Sequence, residues 1–276
     1  MKSPEPIIVV DLFPPLLNAL LELLSSLSDE DWQKPTVCKG WAVKDIAAHL
    51  LGGDISILAR KRDAYLFSGS SIKDWEELVA LINNLNAAWV QATARLSPRL
   101  LTDMLRFTGE QVCEFFATLD PQVLGDPVSW AGNEAAPVWF DLAREYTERW
   151  HHQQQIRDAV NKPGMKERKF FAPVLEAFVR ALPHTYRNVE AEDGTLVTLT
   201  ITGEAGGRWS LLRETGRWNL YVEVEQKPHA ELMIDEDLAW RLFTKGLGKE
   251  VALSQAKIHG DEGLALTALN MISVIA

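Results

Sequence analysis

The feature that most constrains the fold is a change of hydrophobic period near Gly164. Before that point apolar residues recur three, four and seven apart, the stripe of a helix; beyond it they alternate, the mark of half-buried strands. Leu12 to Leu27 and Ala42 to Phe67 read as helices, the second carrying Val43, Ala47, Leu51, Ile55 and Leu58 on one face. A third helix is expected from Ile72 to Leu96, after a stop at Ser68 to Ser71. Ser97 and Pro98 open a fourth, to about Leu119, because a serine caps a first turn and a proline fits inside it. Pro121 to Pro137 is loop, and Val138 to Val160 is a fifth helix, ended by Asn161, Pro163 and Gly164.

Beyond Gly164 one helix, Phe170 to Leu182, leads into strands at Leu196 to Thr202, Arg208 to Arg213, Arg217 to Glu225 and Ala230 to Ile234. Trp218, Leu220, Val222 and Val224 fall on one face of the third, and Thr215 with Gly216 supplies a hairpin turn before it. Asp235 can cap a helix running to Lys245 and closed by Gly246, a last strand is expected near Val251 to Ile258, and a terminal helix starts at Glu262. The chain therefore reads as two domains. Residues 1–164 form a helical bundle, and 165–276 form an α+β domain with an antiparallel sheet.

Charge narrows the partners. Twenty-eight Lys and Arg against 38 Asp and Glu give a formal net charge of -10, which disfavours binding to a phosphate backbone. Nucleic acid is not an expected partner. The apolar stretch Ile7 to Leu24 is broken by Asp11, Pro14, Pro15, Asn18 and Glu22, so neither a signal peptide nor a membrane span is expected. Cys38 and Cys113 form no CxxC motif or disulfide framework, which fits a reducing, cytoplasmic setting, and each reads as a small packed residue.

The chemistry-bearing residues concentrate in the helical part. Glu148 and His152 are four apart and share a helix face, the spacing at which two side chains can hold one ion. By periodicity alone that face lies opposite the stripe Trp139, Ala143, Tyr146 and Trp150, where a solvated pair also fits. His49 lies in the run Gly40-Trp41-Ala42-Val43-Lys44-Asp45-Ile46-Ala47-Ala48-His49, followed by Gly52 and Gly53. Glycines within a helix cost about 1 kcal/mol each, so they serve something besides helix stability, and cleared space around His49 is one reading. A core histidine in close helix packing is the other.

The Gly40 to His49 run, with Glu-x-x-x-His near the end of the bundle, resembles the mycothiol-dependent maleylpyruvate isomerase family. The resemblance implies a DinB-like metal-binding four-helix bundle followed by a sterol-carrier-protein-like α+β domain. Carried over by position, it implies that His49, Glu148 and His152 ligate a divalent metal, Zn²⁺ first, with Fe(II) or Ni(II) also suited to two histidines and a carboxylate. His151 is the alternative to His152. Where the family often has Asp three residues after the second ligand histidine, this chain has Gln155. The implied cofactors are that metal and a low-molecular-weight thiol such as mycothiol, and the implied activity is a thiol-dependent transferase or isomerase acting on a small electrophilic acid. Arg241 matches a region where the family carries a functional arginine, and its planar fork suits a carboxylate substrate. The rival expectation is a non-catalytic carrier that holds an apolar ligand in the C-terminal domain under the apolar helix Leu264 to Ile275.

Overall fold

The structure is a computed structural model that describes residues 1–65 and 75–274. The chain closes into two compact units that are not successive segments. One comprises Val10–Leu119 and Glu148–Met165; the other comprises Met1–Val9, Asp120–Thr147 and Lys166–Val274. This departs from a single cut at residue 164, because the loop before the fifth helix and that helix's first ten residues group with the unit that holds the sheet, Tyr146 donating to the Phe170 carbonyl and Arg180 lying over the Trp139 ring.

The first unit is a helical bundle. It contains α1 (Phe13–Ser25), α2 (Val43–Ile57), α3 (Trp75–Thr93), α4 (Pro98–Ala117) and the later part of α5 (Val138–Val160). Pro14 and Pro15 sit in the first turn of α1, where a missing N–H costs no intrahelical bond. Ser97 caps α4, its Oγ accepting the Leu100 N–H at 3.2 Å. The expected helix from Ala42 to Phe67 is shorter. α2 ends at Ile57 and runs into a π-helical turn, Leu58–Arg62, in which the Asp63 N–H reaches back five residues to the Leu58 carbonyl. Residues 66 and 67 of that expectation, the stop at 68–71 and the start of the third helix at 72–74 lie outside the described residues. Leu20, Leu24, Trp32, Ile46, Leu51 and Leu105 are buried together in the bundle core.

The second unit holds α6 (Arg168–Val179), α7 (Leu182–Thr185), β1 (Leu196–Thr202), β2 (Gly207–Glu214), β3 (Arg217–Tyr221), β4 (Ala230–Asp235), α8 (Glu236–Phe243), α9 (Lys249–Gln255), β5 (Lys257–Gly260) and α10 (Glu262–Thr267). Among the described residues the sheet order is β3-β2-β1-β4-β5. Consecutive residues Val197, Thr198 and Leu199 of β1 are all buried, so this central strand is covered on both faces.

The sheet is mixed rather than wholly antiparallel, because β4 pairs with β1 in parallel, Leu199 opposite Leu232. A two-residue period reports which face a side chain takes and says nothing of strand direction. Direction is set by the connection 222–229, which carries the chain from β3 to the far side of β1. The strand expected near Val251 to Ile258 is also corrected. Lys249–Gln255 is helical, and only Lys257–Gly260 pairs with β4. A short apolar run does not by itself tell helix from strand. The expected terminal helix breaks after Thr267 into a 3₁₀ turn, Ala268–Asn270. At the end of α8 it is Lys245, at φ +60°, that takes the left-handed position expected of Gly246.

The β2–β3 hairpin turns on Thr215 and Gly216, both at positive φ, 47° and 76°. The Asp193 carboxylate accepts both of their N–H groups, each at 3.1 Å. An L-residue pays about 1–2 kcal/mol to stand in the left-handed region, less for asparagine. Thr215→Asn should therefore raise the thermal midpoint, while Asp193→Ala should lower stability by about 1 kcal/mol through two lost bonds. Unchanged melts for both would show that the turn does not depend on this bracing.

Candidate metal centre

The site is prepared before α2 begins. Gly40 stands at φ +82°, a backbone position that disfavours a side chain, and closes the loop that precedes the helix. Across that loop the Thr36 N–H and hydroxyl both donate to the Trp41 carbonyl, at 3.0 and 2.9 Å, and the Trp41 N–H donates to the Cys38 carbonyl at 2.9 Å. The Asp45 carboxylate accepts the Ala42 N–H at 2.9 Å, satisfying a donor that the helix leaves open and placing negative charge near the helix N-terminus. Ile46, Ala47 and Leu51 then face the core. With the helix held in this register, His49 turns toward α5, and the Trp41 ring lies 5.3 Å from the His49 ring.

On α5, Glu148 and His152 come together one turn apart, Nε2 to Oε2 at 3.6 Å. The His49 ring meets the His152 ring edge-on, with centroids 4.6 Å apart. One ligating atom from each of His49, Glu148 and His152 lies within 4.8 Å of the others. A solvated pair does not describe His152, which is 8% exposed and followed by three buried residues, Gln153, Gln154 and Gln155, while Glu148 beside it is half-buried. His151 is buried beside His152, with ring centroids 4.0 Å apart, but stands outside the three-residue cluster.

Burial, reinforced by the neighbouring His152 ring, pulls the His49 pKa down to about 4 against the opposing pull of Glu148 and of a hydrogen bond with Asn86. His49 is thus a neutral imidazole at pH 7, with a lone pair to offer. Two imidazoles and one carboxylate suit a divalent ion and leave a coordination position open.

Three contacts escaped the sequence reading. Asn86 on α3 reaches His49, and the one sequence signal for it is a cluster of helix-unfavourable asparagines at 83, 84 and 86. Trp89 fills the space beside Gly52: a Cβ built there would lie 2.7 Å from the Trp89 ring, whose Nε1 donates to the Ala48 carbonyl at 2.7 Å. Gly52 therefore admits a tryptophan rather than clearing room around His49. Cys38 lies against Gln155, its thiol 3.4 Å from Oε1. Neither cysteine is in a disulfide. Arg241 belongs to the sheet unit, on α8, where it pairs with Asp237 at 3.3 Å and stacks on the Trp240 ring at 4.5 Å.

The family model of the mycothiol maleylpyruvate isomerase N-terminal domain matches residues 13–157, which include all three clustered side chains. The chain belongs to this family. Crystal structures of a mycothiol-dependent maleylpyruvate isomerase share its fold. A histidine-to-alanine variant matches at TM-score 0.52 and 9% identity, covering 90% of each chain. A second structure matches at TM-score 0.50 and 11% identity, covering 84% of this chain and 86% of that one. The sterol carrier protein domain 2 of Helicoverpa armigera matches at TM-score 0.24 and 19% identity over 37% of this chain and 78% of its own, too low a score to bear on the C-terminal half. No curated protein matches the sequence significantly. Among the described residues no helix is long and apolar enough to cross a membrane.

Two outcomes test this geometry. Gly52→Ala should cost about 1–3 kcal/mol by pushing Trp89 aside. Gly53→Ala, where no described atom lies within 4 Å of the added Cβ, should stabilise by up to about 1 kcal/mol through helix propensity. Equal effects in urea denaturation would show that Trp89 is not seated as described. The second outcome follows from His49, whose folded pKa near 4 lies below its ordinary 6.5, so that the unfolded chain takes up the proton first. Its contribution to stability is whole above pH 6.5 and is lost as pH falls toward 4, by at most about 1.4 kcal/mol per unit. Chelator-treated protein should show that decline in urea, and His49→Asn should flatten it.

Proposed function

We propose that this protein is a metal-dependent, low-molecular-weight-thiol-dependent transferase or isomerase acting on a small electrophilic acid. The observation that carries the reading is the approach of His49, Glu148 and His152 to within 4.8 Å inside a bundle of this family. His49, Glu148 and His152 would hold one divalent ion, with Zn²⁺ favoured by the donor set and Fe(II) or Ni(II) compatible with it. When bound, that ion supplies a positive charge that keeps a thiol ionised at neutral pH, and the thiolate is the nucleophile.

The protein's own groups prepare that chemistry. The neutral ring of His49 presents a lone pair without first losing a proton at pH 7, and Glu148 offsets part of a dication's charge. Trp41 packs against His49 and limits its contact with water. Reversible addition of a thiolate to a cis enone acid such as maleylpyruvate would turn its double bond into a rotatable single bond, and elimination would return the trans isomer, so no protein nucleophile is required. Arg241 is the proposed partner of the substrate carboxylate, and its stacking on Trp240 holds the guanidinium plane in one orientation.

Elemental analysis should find about one divalent ion per chain in purified protein, and His49→Ala should lose it. Glu148→Gln should bind metal more weakly, a neutral amide replacing an anionic ligand. With Co²⁺ in place, a thiol should produce a sulfur-to-metal charge-transfer band; mycothiol, bacillithiol, glutathione and a simple thiol are the compounds to compare. Arg241→Ala should keep metal and band yet lose turnover on an acidic electrophile. No metal after reconstitution with Zn²⁺, Fe²⁺ and Ni²⁺ would sink the enzyme reading. An unperturbed Co²⁺ spectrum together with tight binding of an apolar ligand would put the carrier in its place.

A further inference from the structure

The side chain that decides which nitrogen His152 offers lies one turn further along α5. His152 Nδ1 is 2.8 Å from Gln155 Oε1, and both residues are buried. A carbonyl oxygen only accepts, so a bond in that sense requires the proton on Nδ1 and leaves the lone pair on Nε2, the nitrogen that stands 3.6 Å from Glu148. The reverse orientation of the amide would point its NH₂ at Nδ1 and move the ring proton to Nε2, the side needed for an ion. Which end of an amide faces a ring is therefore a functional choice here.

Cys38 bears on that choice. Its thiol lies 3.4 Å from the same Oε1. A carbonyl oxygen has two acceptor positions and can take both the ring N–H and the S–H, whereas a sulfur is a poor acceptor for an amide NH₂. Cys38 is itself tied to the loop before α2, its N–H donating to Thr36 Oγ1 at 3.2 Å. Burial pushes its thiol above the ordinary value, so it remains an S–H donor at neutral pH.

We propose that Gln155 is a positioning residue for the metal centre, holding His152 in the Nδ1–H tautomer, and that the Cys38 thiol fixes the orientation of the Gln155 amide. This rests on the metal reading above for its purpose but not for its test. Ligating histidines commonly pass their second ring nitrogen to a carboxylate or carbonyl, and loss of such a partner weakens metal binding by roughly 10–100-fold. An amide here supplies direction without a second negative charge behind the ring.

The test reads the ring directly. Full-length protein with ¹⁵N-labelled histidine, as purified and after chelation, should show His152 protonated on Nδ1 by two-bond ¹⁵N–¹H correlations. Cys38→Val and Cys38→Ala, which both remove the S–H donor, should let the Nε2–H tautomer appear. Zn²⁺ affinity, measured by competition with a chromophoric chelator, should fall by roughly 10–100-fold in Gln155→Leu and be kept in Gln155→Glu, which still accepts from Nδ1. An Nε2–H tautomer in the native chelated protein would overturn the proposal, as would wild-type affinity and tautomer in a folded Gln155→Leu. Should Gln155→Leu fail to fold, the native spectrum and the Cys38 variants decide. Should the native protein bind no Zn²⁺, the metal reading falls, and the tautomer spectra still decide the role of Gln155.

Discussion

The bundle is organised around the burial of a polar stretch of helix. From Glu148 to Gln155, α5 carries charge, imidazole and amide at almost every position, and most of these residues are buried. A buried amide or charge without a partner costs a few kcal/mol, so each must find one in a particular neighbouring segment. Gln153 donates to the Leu16 carbonyl of α1, Gln154 to the Gly164 carbonyl, and the Trp150 indole to the Met165 carbonyl. Arg149 meets the buried Asp54 of α2 at 2.7 Å, and Asp54 also accepts the Thr108 hydroxyl of α4 at 3.0 Å. Apolar packing would tolerate small slips of these helices; this set of bonds does not. The cluster of His49, Glu148 and His152 inherits its geometry from that constraint.

The same constraint explains why the cluster joins two helices rather than one. Adjacent residues on each helix divide the work: Glu148 and His152 face His49, while Arg149 and Gln153 turn about 100° away toward other partners. On α2, His49 faces the cluster and Asp54 holds the other side. Fixing the neighbours of each clustered side chain fixes that side chain, so the cluster is held in part by residues outside it. The Gly40 loop completes this arrangement, because it sets the first turn of α2 and also delivers Cys38 to Gln155.

In the sheet unit the physical logic is different. Its order comes from strand pairing and from large side chains such as Phe178 and Phe243, whose rings meet at 6.3 Å. Hydrogen bonds brace the backbone where it leaves regular structure, among them Tyr186 to the Leu264 carbonyl and Ser273 to the Phe178 carbonyl. Arg241 makes local contacts along α8, a pair with Asp237 one turn away and a stack on its neighbour Trp240.

What the sequence determined by itself was whatever local periodicity and local stereochemistry control. α5 spans Val138–Val160 as its pattern predicts, Ser97 and Asp235 cap the helices assigned to them, and Thr215 with Gly216 turns the hairpin. The same holds for the candidate site in outline: the Gly40 to His49 run is one helix with the short loop that opens it, and the Glu148 to His152 spacing lies within a single helix, where position along the chain sets position in space. Tertiary structure alone decided the rest. Strand direction at β1 and β4, the helix at Lys249–Gln255 and the grouping of Asp120–Thr147 with the sheet depend on partners distant in the chain. So do the burial of His152, the contact of Asn86 with His49, the tryptophan beside Gly52 and the meeting of Cys38 with Gln155. Helical spacing names the face on which a residue stands, but whether that face meets water or another helix is settled by packing between segments, and period carries no trace of it.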